Sequence, residues 1–195
     1  MSPAPSRTSV DAIVAAARRI LETDGLSAVT MRGVAEAVGV QGPSLYKRVP
    51  DRAALVRAVA DGVVADLAGT LALATETSDP LTDLRSVADA YRDFVHRNPN
   101  GYRLLFADLP AGAAPDPAAL AALADPIVKA MAALSGKADA LDDARTLVAW
   151  AHGFASMELA GAFRLGGDLD AAYAFGIGAI LAGVTSQANP ASRSG

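Results

Sequence analysis

Apolar residues recur at three- and four-residue spacing in almost every segment of this chain, and no stretch alternates like a strand over more than a few positions. That period predicts an all-α fold, because only a helix stacks such residues on one face. Glycine, proline and capping residues divide the pattern. A stripe of Val10, Ile13, Val14, Ala17, Ile20 and Leu21 runs from a Ser9 cap to a Gly25 stop. Thr30 opens a short second helix with Met31, Val34, Ala35 and Val38 facing inward, and Gly39 closes it. After the Gly39-Val40 turn, Pro43 starts a still shorter third helix that Val49-Pro50 ends. Asp51 caps a long helix to about Ala74, with Leu55, Val59, Val63, Leu67 and Leu71 on one face. Further helices are expected at 81–97, 100–107, Pro117 to about Leu134, Asp142 to Arg164 with Gly166-Gly167 as its stop, and Asp170 to about Ser186. Residues 108–117, with three of the 11 prolines, read as a functional or mobile loop, and the last nine, QANPASRSG, as a loose tail.

With 195 residues, 52% hydrophobic and 19% charged, the chain can bury a substantial core. It has no cysteine, which excludes a disulfide framework, a thiolate nucleophile and cysteine-ligated metal. The start, MSPAPSR, lacks the charged region and apolar run of a secretory signal, so the expected compartment is the cytoplasm. Net charge is −4 but unevenly spread: residues 1–57 carry eight basic side chains against five acidic, a net of +3 that leaves −7 for the rest. A basic module on an acidic body suits a polyanionic partner.

Residues 30–52, TMRGVAEAVGVQGPSLYKRVPDR, join two very short helices by a tight glycine turn. Helices of that length are marginal alone and need bracing by helix one. This is the helix-turn-helix plan, in which the second short helix enters the major groove while nearby cations grip phosphates. Helices joined by a glycine turn also occur in bundles that bind no nucleic acid.

Over residues 9–56 the chain resembles the tetracycline-repressor-like (TetR/AcrR) family of transcriptional regulators. The likeness rests on Ala15-to-Gly25, Thr30, Ala37-Val38-Gly39-Val40, Leu45-Tyr46, Val49-Pro50 and Arg52. Where that family often has Ser, His, Phe and Lys, this chain has Gln41, Arg48, Val49 and Arg52. The resemblance implies phosphate contacts from Thr30, Tyr46, Arg48 and Arg52, and base-edge contacts from Gln41, Ser44 and Lys47. A Tyr near a helix end can instead pack its ring in the core. Arg18 and Arg19 read simply as the solvated side of helix one. Trp150-Ala151-His152-Gly153-Phe154 followed by Phe163 resembles the Trp-His-Gly subgroup of the same family.

The resemblance divides the chain into a three-helix DNA-binding domain at 1–50, an effector-binding and dimerising domain at 51–186 and a tail at 187–195. It places an apolar effector cavity among Tyr91, Phe94, Tyr102, Met131, Trp150 and Phe154, with His152 or Glu158 as polar contacts. Aromatic stripes at helical spacing are also what a filled core looks like. The last helix is apolar nearly all round and needs cover. Gly176, Gly178 and Gly183 permit close helix approach, and with Gly153, Gly161, Phe163, Phe175, Ile177 and Ile180 they suggest a C2 homodimer face. Bracketed by Asp170 and Gln187, that helix reads as too short to span a membrane. There is no phosphate-binding loop, no metal-spaced His pair and no dinucleotide fingerprint, so neither a cofactor nor a reaction is expected. The function expected is a ligand-responsive repressor that binds a pseudo-palindromic duplex operator as a dimer and is released by a small apolar effector. The rival is a helical small-molecule-binding protein with little specific DNA affinity; an all-helical hydrolase stands further off.

Overall fold

In the computed structural model, which describes residues 9–75, 79–136 and 140–188, every described element is helical. The termini and two short connections, including most of the expected tail, lie outside the described residues; Gln187, assigned to the tail, is still helical. The helices are α1 (Val10–Asp24), α2 (Met31–Val38), α3 (Gly42–Tyr46), α4 (Arg52–Leu73), α5 (Pro80–Arg97), α6 (Pro99–Leu105), α7 (Pro117–Ala122), α8 (Asp125–Ser135), α9 (Leu141–Leu159) and α10 (Leu169–Ala188).

Local signals explain most boundaries. Ser9 accepts the Ala12 N–H at 3.1 Å, Thr30 the Gly33 N–H at 3.0 Å, and Asp51 the Ala54 N–H at 2.8 Å. Gly39 has φ of +72°, with Gly39 N–H donating to Glu36 O and Val40 N–H to Ala35 O, which is a Schellman stop.

Three expectations fail here. The single helix from Pro117 turns at Leu123-Ala124 because Pro126, in the first turn of α8, has no N–H to continue the ladder. α9 ends at Leu159, seven residues before the expected glycines: Gly161 has φ of +60°, and Gly161 N–H to Glu158 O with Ala162 N–H to Met157 O forms another Schellman motif. α10 starts at Leu169, after Asp168, and runs 20 residues. Length and composition therefore suffice for a membrane crossing, which overturns the length argument made above. The 117–135 stretch passes the same test of length and composition, but its turn breaks the helix.

The described residues form two compact units that do not divide at residue 50. Among the described residues, unit 1 comprises 9–66 and 98–120, and unit 2 comprises 67–75, 79–97, 121–136 and 140–188. α4 supplies residues to both as one unbroken helix.

In unit 1, Ile13, Ala17 and Leu21 of α1, Val34 of α2, Leu45 of α3, and Leu55 and Val59 of α4 form the core, joined by Leu104 and Ala113 from the second segment. The second segment belongs there because Glu22 clamps α6. Its carboxylate accepts the N–H groups of Gly101 at 2.8 Å and Asn100 at 3.1 Å, and its backbone carbonyl accepts from the Asn100 side chain at 2.9 Å. Asn98 provides no side-chain cap for α6, so Glu22 of another helix satisfies the open amides. The loop expected to be functional or mobile is held: Ala113 is buried and the Asp116 N–H donates to Asp61 at 3.0 Å.

In unit 2, Leu84, Val87, Phe94 and Val95 of α5, Ile127 and Met131 of α8, Leu147 and Ala151 of α9, and Tyr173, Ile177 and Leu181 of α10 are buried.

Candidate functional site

α2 is eight residues long and α3 five, and each presents one apolar edge to unit 1. Leu45 is fully buried and Val49 nearly so, which pins the segment from both ends of its single turn. The residues between and before them point outward: Gln41, Ser44, Tyr46, Lys47 and Arg48 are all exposed, as is Thr30. Tyr46, at 53% exposure, does not pack its ring in the core. Gln41 stands at the α3 N-cap without a side-chain cap bond, while Pro43 occupies the first turn, where a missing N–H costs nothing. Lys47 and Arg48 make no ion pair among the described residues, whereas Arg32 is paired with Glu36 at 2.9 Å and Arg57 faces Asp61 at 3.7 Å.

Arg52 also has a role within the fold. Its Nε donates to Val29 O at 2.7 Å and a terminal nitrogen to Leu26 O at 2.8 Å, satisfying carbonyls at the end of the 3₁₀ turn Leu26–Ala28. Two of the five N–H donors of its guanidinium are thus committed to the fold. Arg18 is likewise no idle surface residue: it pairs with Asp66 and reaches Asn98 at 3.4 Å. Both contacts join residues distant in sequence, and no local signal announces them.

The expected effector residues fall in both units. Phe94 and Met131 are buried in unit 2, whereas Tyr102 belongs to unit 1 and packs edge-on to Phe106 at 5.2 Å. Trp150, Phe154, Phe163 and Tyr173 interlock with ring centroids 4.8–5.4 Å apart, so this cluster is filled. Gly176 makes room for it: a methyl there would lie 2.0 Å from Trp150 Cζ2.

Arg92 lies over the Tyr173 and Phe154 rings, holds Glu158 through two bonds of 2.6 and 2.8 Å, and reaches Asp170 at 2.8 Å. His96 approaches Glu158 at 3.2 Å. Burial pushes the Glu158 carboxyl up, but the hydrogen bonds and charges of Arg92 and His96 outweigh it and hold it below the usual range. Glu158 is thus a structural ion-pair partner. His152 is pushed down by burial, and its Nδ1 stands 3.5 Å from the Tyr91 hydroxyl. Burial pushes the Tyr173 hydroxyl well up, and it donates to Ala88 O at 2.7 Å.

Unit 2 holds a groove as well. A groove of about 550 Å³ runs along Ala68, Leu71, Ala72 and Thr75 of the α4 end, Pro80 and Asp83 of α5, and residues from Ala122 to Ala133 across the α7–α8 turn. None of the expected effector residues lines it.

Of the expected dimer residues, Ile177 is 4% exposed and packs within its own chain, Gly161 is a helix stop, and Phe163 stacks on Phe154 at 4.8 Å. Gly153 and Ile180 are half-buried. Phe175, at 78% exposure, faces outward, as do Val148 and Met157 of α9, which the sequence did not single out.

Residues 13–59 match the family described as bacterial regulatory proteins, tetR family, and residues 84–180 match a tetracyclin repressor-like C-terminal domain. The second match does not single out the Trp-His-Gly subgroup. An uncharacterized HTH-type transcriptional regulator of Mycobacterium tuberculosis, Rv0681, is 30% identical over 163 residues, covering 80% of this chain and 73% of that protein. A protein of unknown function from Rhodococcus sp. RHA1 shares the fold at a TM-score of 0.78 and 25% identity, over 92% of this chain and 96% of that one. BioQ, solved with its double-stranded DNA operator, shares the fold at a TM-score of 0.63 and 24% identity, over 91% and 98%.

Proposed function

Since the chain belongs to the tetR family of bacterial regulatory proteins, a family of DNA-binding transcriptional regulators, we propose that it acts as a dimeric, ligand-released repressor working in the cytoplasm. In this reading unit 1 reads the duplex through Gln41, Ser44 and Lys47 at base edges, with Thr30, Tyr46 and Arg48 on phosphates. One observation carries it: a five-residue helix anchored by Leu45 and Val49 holds a run of exposed polar and cationic side chains clear of the core.

Two copies supply two such helices to a pseudo-palindromic operator. Phe175 with Val148 and Met157 offers the apolar face for pairing. The Trp150-to-Phe154 run supports placement in the Trp-His-Gly subgroup. A small molecule held in unit 2 favours a conformation in which α4 turns the recognition helices away from successive major grooves. α4 suits this because it is unbroken from Arg52 to Leu73.

Selection of bound sequences from random duplex tests the reading. An inverted repeat is expected, with Lys47→Ala weakening selected over random sequence. Arg48→Ala should lower affinity for both and reduce the salt slope by about one. Enrichment of no sequence, or of one lacking two-fold symmetry, overturns it.

A further inference from the structure

Arg52 is the first residue of α4, where the helix dipole disfavours a cation and where Asp51 already caps the helix by accepting the Ala54 N–H. The helix it opens therefore gives no reason for a guanidinium there. Its bonds lead elsewhere. Nε and one terminal nitrogen donate, at 2.7 and 2.8 Å, to Val29 O and Leu26 O, which lie 23 and 26 positions upstream. Leu26 O already accepts the Val29 N–H at 3.2 Å, so the second bond uses its other lone pair. Val29 O lies one residue outside the α2 ladder, whose first carbonyl is Thr30 O, the acceptor of the Val34 N–H. Because the peptide unit is planar, a donor fixed on Val29 O also fixes the Thr30 nitrogen that shares its plane. Thr30 is then held, exposed, where its Oγ1 accepts the Gly33 N–H at 3.0 Å and its own hydroxyl proton can be given to an oxygen outside the chain.

Resting on the regulator reading, we infer that Arg52 serves duplex binding as a positioning residue: its planar fork joins the first turn of α4 to the peptide that precedes α2, and so sets Thr30 against the phosphate it contacts. This role needs the fork rather than the charge. Nε and the adjacent terminal nitrogen present two N–H groups along one edge, which matches two carbonyls one 3₁₀ turn apart. Lysine has a methylene where Nε stands and cannot reproduce that edge, whereas citrulline keeps both N–H groups and carries no charge.

Fluorescence anisotropy of the full chain on its selected duplex tests this, across a range of salt and at a temperature where circular dichroism shows every variant folded. The protein with citrulline in place of Arg52 should bind at least about threefold more tightly than Arg52→Lys, the margin of one hydrogen bond. A direct phosphate donor gives the opposite order, with the salt slope of the citrulline protein lower by about one. In a Thr30→Ala background the citrulline advantage should fall below about threefold, because the group that the fork positions is gone. A role in stability alone would leave that advantage intact. An advantage below about threefold beside Thr30, or one that survives Thr30→Ala, overturns the inference. A chain that selects a duplex but fails either comparison loses only this assignment. One that selects no duplex loses the regulator reading, and this assignment with it.

Discussion

Gly176→Ala sets two opposed effects against each other. Alanine is the better helix former by about 1 kcal/mol, so in open space the change would stabilise α10. At Gly176 the new methyl would lie 2.0 Å from Trp150 Cζ2 and 2.4 Å from Cη2. The indole is hemmed in by Phe154 at 5.2 Å and Tyr173 at 5.4 Å, so it cannot withdraw without loosening both rings. Overpacking of this kind costs about 1–3 kcal/mol, and weakened aromatic contacts add about 0.5–1.5 kcal/mol. The clash should win, leaving Gly176→Ala about 1–2 kcal/mol less stable in urea unfolding followed by circular dichroism. Gly69→Ala in α4, where an added methyl meets nothing within 4 Å, should be stabilised by up to about 1 kcal/mol. Trp150→Phe should cost less in the Gly176→Ala background than alone, because the smaller ring relieves the overlap. A Gly176→Ala protein as stable as Gly69→Ala would refute the packing of Trp150 on α10.

Glu22→Ala should lower stability by about 1–3 kcal/mol and speed hydrogen exchange at the Asn100 and Gly101 amides it caps; unchanged exchange would show the clamp to be idle. Glu158→Gln leaves Arg92, with its side chain 16% exposed, short of its main partner and should cost about 3–5 kcal/mol. Because the folded Glu158 carboxyl sits below its ordinary 4.5, its contribution is complete above that pH and is lost as pH falls through the lower folded value. The stability lost between pH 6 and pH 3 should therefore be smaller in Glu158→Gln, and an identical loss would refute the pairing. Phe175→Asp, at 78% exposure, should fold and sediment as a monomer where the parent sediments as a dimer; a variant that stays dimeric refutes the interface.

Signals confined to a few neighbouring residues were legible. Ser9, Thr30, Asp51, Gly25 and Gly39 cap or stop helices where their chemistry says they should. Competition between such signals was not. Gly161 ends α9 ahead of Gly166 and Gly167, and Pro126 divides a helix whose apolar pattern continues across the break. Side-chain partners far along the chain left no mark. Arg52 on Leu26 and Val29, Glu22 on Asn100 and Gly101, and Arg92 on Glu158 each look from sequence like solvated or ligand-directed charges. The aromatic cluster shows the same limit, since whether rings leave a hollow or interlock depends on their relative tilt. The groove along the end of α4 is walled largely by alanines, which carry no sequence signal.

Unit 1 is discontinuous, and this governs how the protein can be made. The ribosome adds about 5–20 residues per second, so α1 to α3 emerge well before their core can close. Leu104 and Ala113, together with the amides that receive the Glu22 carboxylate, arrive only after the first segment of unit 2 has been synthesised. A fragment ending anywhere from residue 53 to residue 97 would keep the whole recognition segment yet lack part of the wall it leans on. The DNA-reading half is therefore not a portable cassette: grafting it onto another sensor would require carrying α6 and its following loop along, or rebuilding their contacts on the new host.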